Sequence, residues 1–258
     1  MNGMFKKSFF LGGCLALVFL AAACPKSAPS EIRVFCGSSM RGPVEELSRA
    51  FSSAHPQYKV VLDFGGSETL LPRILAGDRP DVFVCHDPFE SKIREAGLWE
   101  RTVVVGALRP VILVVRGNPL GIRGVADLAK RKLRLGIGDP RHSTCGEIFV
   151  KAMAEKGIES DMMKNVVVQG RTHGELGSGV LLGSLDAAVV WNFAARLYKE
   201  KADVVDSEKI GESVRVTLIG LKNGQPREPR DAWLDFFATE NAVKLFAANG
   251  YDSLPPSR

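Results

Sequence analysis

The spacing of hydrophobic positions changes along the chain, and each change marks an element. "EIRVFC", beginning at residue 31, is a short apolar run of the kind a buried strand makes. In "RGPVEELSRAFSSAH" the apolar residues Val44, Leu47, Ala50 and Phe51 recur at i, i+3, i+6 and i+7, which predicts one face of a helix. The alternation continues through strand "YKVVLDF", helix "SETLLPRILAG", strand "PDVFVC" and helix "PFESKIREAG". Strands separated by helices of this length predict parallel βαβ units. The pattern then shifts. "RPVILVVRGNP", residues 109–119, is a long β-branched run closed by turn residues, long enough to leave one lobe and enter another. A second alternating block follows: strand "LRLGIG", helix "GEIFVKAMAEKG", strand "NVVVQG", helix "GELGSGVLLGS", strand "DAAVVW" and helix "NFAARLYKE". "VRVTLIGLKNG" reads as another long strand, and "PRDAWLDFFAT" and "ENAVKLFAANG" as two amphipathic helices. No repeat of solenoid period and no low-complexity tract interrupts the sequence.

The expected fold is therefore α/β and two-lobed, with a ligand cleft between the lobes and two long crossing strands as a hinge. Residues 31–110 with 214–258 would form lobe one, and residues 111–213 lobe two. Lobe one is thus built from both ends of the chain. Clefts between lobes, and the carboxyl ends of strands in open α/β sheets, are where such folds bind ligands.

The N-terminus does not follow this pattern. "MNGMFKK" is basic and "SFFLGGCLALVFLAAA" is an apolar run ending in small residues, so residues 1–23 read as an export signal. The run ends "LAAAC", which resembles the bacterial lipobox, with Cys24 as the residue to be lipidated. Ala21 stands where an aliphatic residue is usual, and Leu20 precedes it. Ordinary cleavage with Cys24 incidental is the other reading. Residues 24–30 have the composition of a short tether. The expected location is the periplasm or the outer membrane face, with the membrane engaged through a lipid anchor alone.

Composition narrows the class further. With 258 residues and 45% apolar content the chain can bury a sizeable core. Removing residues 1–23 takes away Lys6 and Lys7, and the formal charge falls from +5 to +3. That is too mild to predict a nucleic-acid partner. No later apolar stretch is long enough to span a bilayer.

Specific segments resemble a known family. In "VFCGSSM" a strand runs into small residues and Ser39 before a helix. "DFGGSETLLPRI", with "AGDRPDVFVCHD" after it, presents Ser67 in a turn before a helix. "GDPRHSTCGEIFVKAM" is the most specific piece, and "DAAVVW" ends a strand in an aromatic residue. Together these resemble the molybdate-binding periplasmic proteins of ABC importers, within the type II solute-binding fold, over nearly all of residues 31–258. The resemblance implies capture of a small oxyanion, molybdate or tungstate first, for delivery to a membrane permease. It implies no cofactor and a monomer in function. Its ligand contacts carry over to Ser39, Ser67, Cys145, Thr172 and Trp191, with those at Cys145 and Thr172 largely through backbone N–H. Two positions depart from the family: Trp191 stands where a tyrosine hydroxyl is usual, and Cys145 where alanine is usual. The chemistry fits independently, because helix N-termini supply backbone N–H groups and a favourable dipole to an anion. For a single serine before a helix, plain capping is the ordinary explanation.

Cys36, Cys85 and Cys145 remain in the mature body, and an odd number cannot all pair within the chain. Each falls at a strand end or helix start facing the proposed cleft, and none at a position that the periodicity gives to the core. His86, His142 and His173 fall in the same loops. The alternative function is therefore a soft metal or metalloid site made by these six residues. Against it stand the absence of any CxxC pair, a possible disulfide, and the fact that cysteine is small enough to serve as a cleft wall. A ligand sensor would share the same fold and site. An enzyme is not expected: Ser39 has no evident base, "GSSMRG" is not the G-x-S-x-G elbow, and Asp81 and Asp87 read as structural.

Overall fold

The strand and helix patterns resolve into two five-stranded mixed sheets, each flanked by helices. The computed structural model describes Met1, residues 29–206 and residues 209–253; the export signal from Asn2 onward and Cys24 lie outside the described residues. The first sheet takes β1 (Ser30–Gly37), β2 (Tyr58–Gly65), β3 (Val82–His86), β4 (Trp99–Leu108) and β10 (Val214–Leu221) in the order β2-β1-β3-β10-β4. Its helices are α1 (Arg41–Ala54), α2 (Ser67–Leu75), α3 (Phe89–Glu95), α9 (Arg227–Phe237) and α10 (Glu240–Ala248). The second sheet takes β5 (Pro110–Val115), β6 (Leu135–Gly138), β7 (Val166–Gly170), β8 (Ala187–Trp191) and β9 (Ala202–Val205) in the order β7-β6-β8-β5-β9. With it go α4 (Val125–Lys130), α5 (Thr144–Glu155), α6 (Glu159–Met163), α7 (His173–Leu181) and α8 (Asn192–Tyr198).

The two sheets share one plan. In each, three parallel strands are joined by helices, and one antiparallel strand is inserted beside the third. The antiparallel strands, β10 and β5, are those that arrive from the other sheet, so the parallel rule of βαβ units does not govern them. The chain crosses between the sheets twice. The first crossing is at Arg109, between β4 and β5, so the long run expected at 109–119 is a six-residue strand preceded by a separate one. The second falls between β9 and β10, and the strand expected in "VRVTLIGLKNG" lies wholly within the first sheet. Arg109 clamps this region. It donates from Nε to Asp252 at 2.7 Å and from its guanidinium to Asp206, while its carbonyl accepts from the Asn192 N–H at 3.0 Å.

Burial follows the expected helical faces with one exception. Val44, Leu47 and Phe51 of α1 are buried, whereas Ala50 is exposed. Six residues on from Val44 is about 240° round the helix, which turns Ala50 away from the core. Two strands, β4 and β9, and two short helices, α4 and α6, have no counterpart in the expected pattern. In β4 the polar stretch Glu100–Arg101–Thr102 is only half-buried and hides the strand period. Among the described residues no helix is long and apolar enough to cross a membrane.

Candidate functional site

The carboxyl ends of strands in both sheets meet at one cavity of about 600 Å³. From the first sheet, β1 ends at Gly37 and the chain turns through a 3-10 turn at Ser38–Met40; Gly66 and Ser67 lead from β2 into α2; and β3 ends at His86. From the second, Ser143 and Thr144 open α5, Thr172 and His173 open α7, and Trp191 leads into α8. All of these residues except Met40 line the cavity, as does Ser39. The two serine turns approach closely: a Cβ on Gly37 would stand 2.7 Å from the Ser67 Oγ and 2.5 Å from Met40. Only glycine permits that approach.

Helix starts give the cavity its electrostatic character. The first N–H groups of a helix have no acceptor within it, and the dipole favours negative charge there. At α5 the Ser143 Oγ accepts from the Gly146 N–H at 3.4 Å and its carbonyl from Glu147 at 2.9 Å, which leaves the N–H groups of Thr144 and Cys145 without an intrahelical acceptor. At α7 the Thr172 Oγ1 accepts from the Glu175 N–H at 3.1 Å, so its own hydrogen is free to be donated elsewhere. Gly146 sets how deeply α5 seats, because a Cβ there would lie 2.0 Å from the Gly138 carbonyl oxygen.

The "GDPRH" segment is a turn held by its own charges. Asp139 accepts from the Arg141 backbone N–H at 3.0 Å and from its guanidinium at 2.8 and 3.0 Å. The Arg141 side chain, and then its backbone N–H, hold the Asp139 carboxyl down at about 2. Arg141 is thus engaged in the turn. Arg171 is the cavity-lining arginine, and Glu68 lines the same cavity.

An aromatic group spans the two sheets at the cavity. Trp191 is 2% exposed; its ring lies 5.9 Å from His86 of the first sheet and 6.1 Å from His173 of the second. Phe193 packs edge-on to His173 at 5.8 Å and stacks on Tyr251 at 5.6 Å, and the Tyr251 hydroxyl donates to the Ser39 carbonyl. Burial lowers the pKa of His86, whose Nδ1 lies 2.8 Å from the Asp87 carbonyl oxygen. A carbonyl only accepts, so the hydrogen of neutral His86 is on Nδ1. Burial, then the nearby His86, push His173 down to about 4. The His173 Nδ1 is buried and has no hydrogen-bond partner.

Of the residues expected to hold an oxyanion, Ser39, Ser67, Thr172 and Trp191 come together here, with Ser67 only 3% exposed. Cys145 does not bring its side chain to the cavity; only its backbone, in the first turn of α5, is near the Thr144 wall. His86, His142 and His173 line the cavity. The thiols are the correction. Cys36, Cys85 and Cys145 are each wholly buried in apolar clusters, and none forms a disulfide. The reason is that a central parallel strand is covered on both faces. Near the end of β1, Phe35 and Cys36 point to opposite faces of the sheet, each into its own cluster. In β3, Cys85 faces Thr217 at 3.5 Å, and the next residue, His86, turns to the cavity. Cys145 packs in the same apolar cluster as Phe149, one turn further along α5. Burial raises all three pKa values, which keeps the thiols protonated. Among the described residues no group of three or more His, Cys, Asp or Glu is placed to hold a metal ion, so the six-residue soft-ligand site is not assembled.

The sequence reading missed several lining residues: Ser143, Thr144, Arg171, Phe193 and Tyr198. Ser143 had a signal, as a serine directly before a helical run. "THGE", residues 172–175, likewise matches the capping-box spacing that Thr172 and Glu175 use. Arg171 and the aromatic pair had none, because an exposed arginine before a helix and apolar residues on α8 look ordinary.

Comparison with known proteins agrees with this geometry. Residues 32–252 match the family of bacterial extracellular solute-binding proteins. A Haemophilus influenzae chain named only as a binding protein is 26% identical over 225 residues, covering 86% of this chain and 91% of that one. The molybdate-binding protein ModA of Mycobacterium tuberculosis is 26% identical over 206 residues, covering 78% and 77%. Among solved structures, the sulfate-binding protein SubI of the same organism superposes with a TM-score of 0.74 at 16% identity, covering 88% of each chain. On the family match over most of its length, the chain belongs to the bacterial extracellular solute-binding proteins.

Proposed function

We propose that this chain is the oxyanion-capturing component of an ABC importer, with molybdate or tungstate as its first ligands. Cys24 would carry the lipid anchor and hold the protein outside the cytoplasmic membrane, where it delivers the anion to a permease. The observation that carries the reading is the convergence of helix starts and hydroxyl groups from both sheets on one cavity. Ser39, Ser67 and Thr172 supply hydroxyl donors, and α2, α5 and α7 supply N–H groups and dipoles. Donors preorganised away from water bind a dianion without a matching cation. The likeness to ModA supports molybdate, and that to SubI shows a shared fold. The ligand is bound and released unchanged, so no turnover is expected. Titration calorimetry with molybdate, tungstate, sulfate and phosphate tests the reading. Binding of none of the four would refute it.

A second reading has one observation in its favour. The cavity volume of about 600 Å³ is far more than a tetrahedral anion needs, and one wall is Trp191, Phe193 and Tyr198. Volumes of about 300–1,000 Å³ suit larger organic ligands. An organic phosphate or carboxylate would place its anionic head at the helix starts and its body on that wall. Native mass spectrometry of the protein with its co-purified ligand separates the two.

A further inference from the structure

We propose that His173 is a specificity-determining contact: its imidazole, neutral and with its hydrogen on Nε2, donates a hydrogen bond to the captured oxyanion. The inference rests on the oxyanion reading above and adds an imidazole donor to a cage of hydroxyl, backbone and Trp191 groups. Three independent features carry it. His173 lines the cavity as the first residue of α7, beside the Thr172 cap. Its ring is fixed between Trp191 at 6.1 Å and Phe193 at 5.8 Å, so it cannot turn freely to find another partner. And its Nδ1 is buried with no partner in the protein.

The last feature determines the tautomer. Orphaned buried N–H groups are rare in native proteins, whereas an unfilled acceptor lone pair is better tolerated. The buried Nδ1 therefore keeps the lone pair, and the single hydrogen of the neutral ring sits on Nε2, the nitrogen left for the cavity. Burial and the nearby His86 disfavour a second proton. The charged and titratable groups that line the same cavity are Arg171, Glu68, His86, His142 and Tyr198, and Glu175 lies in the first turn of α7. A neutral N–H aimed at an anion adds a donor without adding a net charge. It favours ligands that present only acceptor oxygens, such as molybdate, over ligands that must also donate.

Two measurements on the whole mature protein test this. The first needs no ligand. Long-range ¹H–¹⁵N correlation spectra of histidine-labelled protein, assigned by the signals lost in His173→Phe, should show the Nε2–H tautomer at neutral pH. An Nδ1–H or imidazolium pattern overturns the proposal. The second is calorimetric titration with sodium molybdate. His173→Gln places an amide N–H close to the position of Nε2–H and should bind nearly as the wild type does. His173→Phe keeps the aromatic packing without the donor, and His173→Asn places its N–H at the wrong position. Both should bind about 10- to 150-fold more weakly, the range for a lost hydrogen bond to a charged group. Undiminished binding by His173→Phe, with an unchanged melting curve, overturns the contact alone. No binding by the wild-type protein overturns both the contact and the molybdate reading.

Discussion

Replacing His173 by phenylalanine should flatten the pH dependence of stability, and the size of the effect follows from the structure. An unfolded histidine titrates near 6.5, whereas His173 in the folded chain is pushed down to about 4 by burial and by His86. Between those values the unfolded chain holds a proton that the folded chain does not. The stability linked to this group is therefore complete above the unfolded value and is lost as pH falls towards the folded one. At about 1.36 kcal/mol per unit, going from pH 7 to pH 5 should cost about 2 kcal/mol from this residue alone. His86 is also lowered by burial and acts in the same direction, so the wild-type slope alone cannot isolate His173. Asp139, held at about 2, contributes its dependence below the ordinary carboxylate value and so outside this window. Phenylalanine keeps a ring against Trp191 and Phe193 but takes up no proton. Urea unfolding of both proteins at pH 7 and pH 5 measures the difference. The wild type should lose about 2 kcal/mol more than the variant over that interval. Parallel losses would mean that the ring is solvated and titrates normally, and the argument from burial would fail.

Other changes probe the same site from different directions. Gly146→Ala introduces a Cβ 2.0 Å from the Gly138 carbonyl oxygen, and so should lower stability by about 1–3 kcal/mol and weaken molybdate binding as α5 shifts; an unchanged melting curve and titration would count against that seating of α5. Ser39→Ala and Ser67→Ala should each weaken molybdate binding by about 1.5–3 kcal/mol, and full affinity in the double variant would remove both from the cage. Cys36, Cys85 and Cys145 should be inert to Ellman's reagent in the native protein and react only after denaturation, since all three are wholly buried; prompt reaction of any one would contradict its placement. Cys36→Ser, Cys85→Ser and Cys145→Ser combined should leave the molybdate affinity of the folded protein close to that of the unsubstituted chain, because no thiol lines the cavity; loss of binding in calorimetric titration of a folded triple variant would contradict this.

The two-lobed plan was readable in the sequence because strands and helices of βαβ units carry different periods, and "GDPRHSTCGEIFV" combined a turn, a cap and an amphipathic helix in one segment. The serine turns were readable as turns, since each sets small residues between a strand and a helix, although capping alone explains a single serine there. β4 was not, since Glu100, Arg101 and Thr102 give its first half the look of a loop, although Glu100 is engaged by Arg227 and Arg230. The thiols misled because position along a strand does not give the direction of a side chain. A residue at the carboxyl end of β1 or β3 is near the cavity, but alternation decides whether its side chain faces the cavity or a covering helix. Cys36 and Cys85 fall on covered faces; Gly37 and His86, one residue later, reach the cavity.

The residues that line the cavity also connect the lobes, and this ties capture to geometry. His86 touches Trp191 across the sheets, while Tyr251, which follows α10 of the first lobe, stacks on Phe193 of the second and donates to the Ser39 carbonyl. Aromatic pairs contribute about 0.5–1.5 kcal/mol beyond their buried area. Such contacts are enough to bias how the lobes approach each other and too small to hold them against a ligand that prefers one arrangement. A ligand shifts that balance only by its differential affinity for the two arrangements. An anion held, as proposed, by Ser39 and Ser67 of one lobe and by the α5 and α7 starts of the other would have that property, because its full set of donors would exist only when both lobes contribute. The carbonyl of Ser39 is fixed by Tyr251 and the hydroxyl oxygen of Thr172 by the cap of α7, so the donors on each side are set in place before the ligand arrives. On the oxyanion reading, preorganisation within each lobe, with assembly between them, would let a single small anion govern the approach of two large lobes.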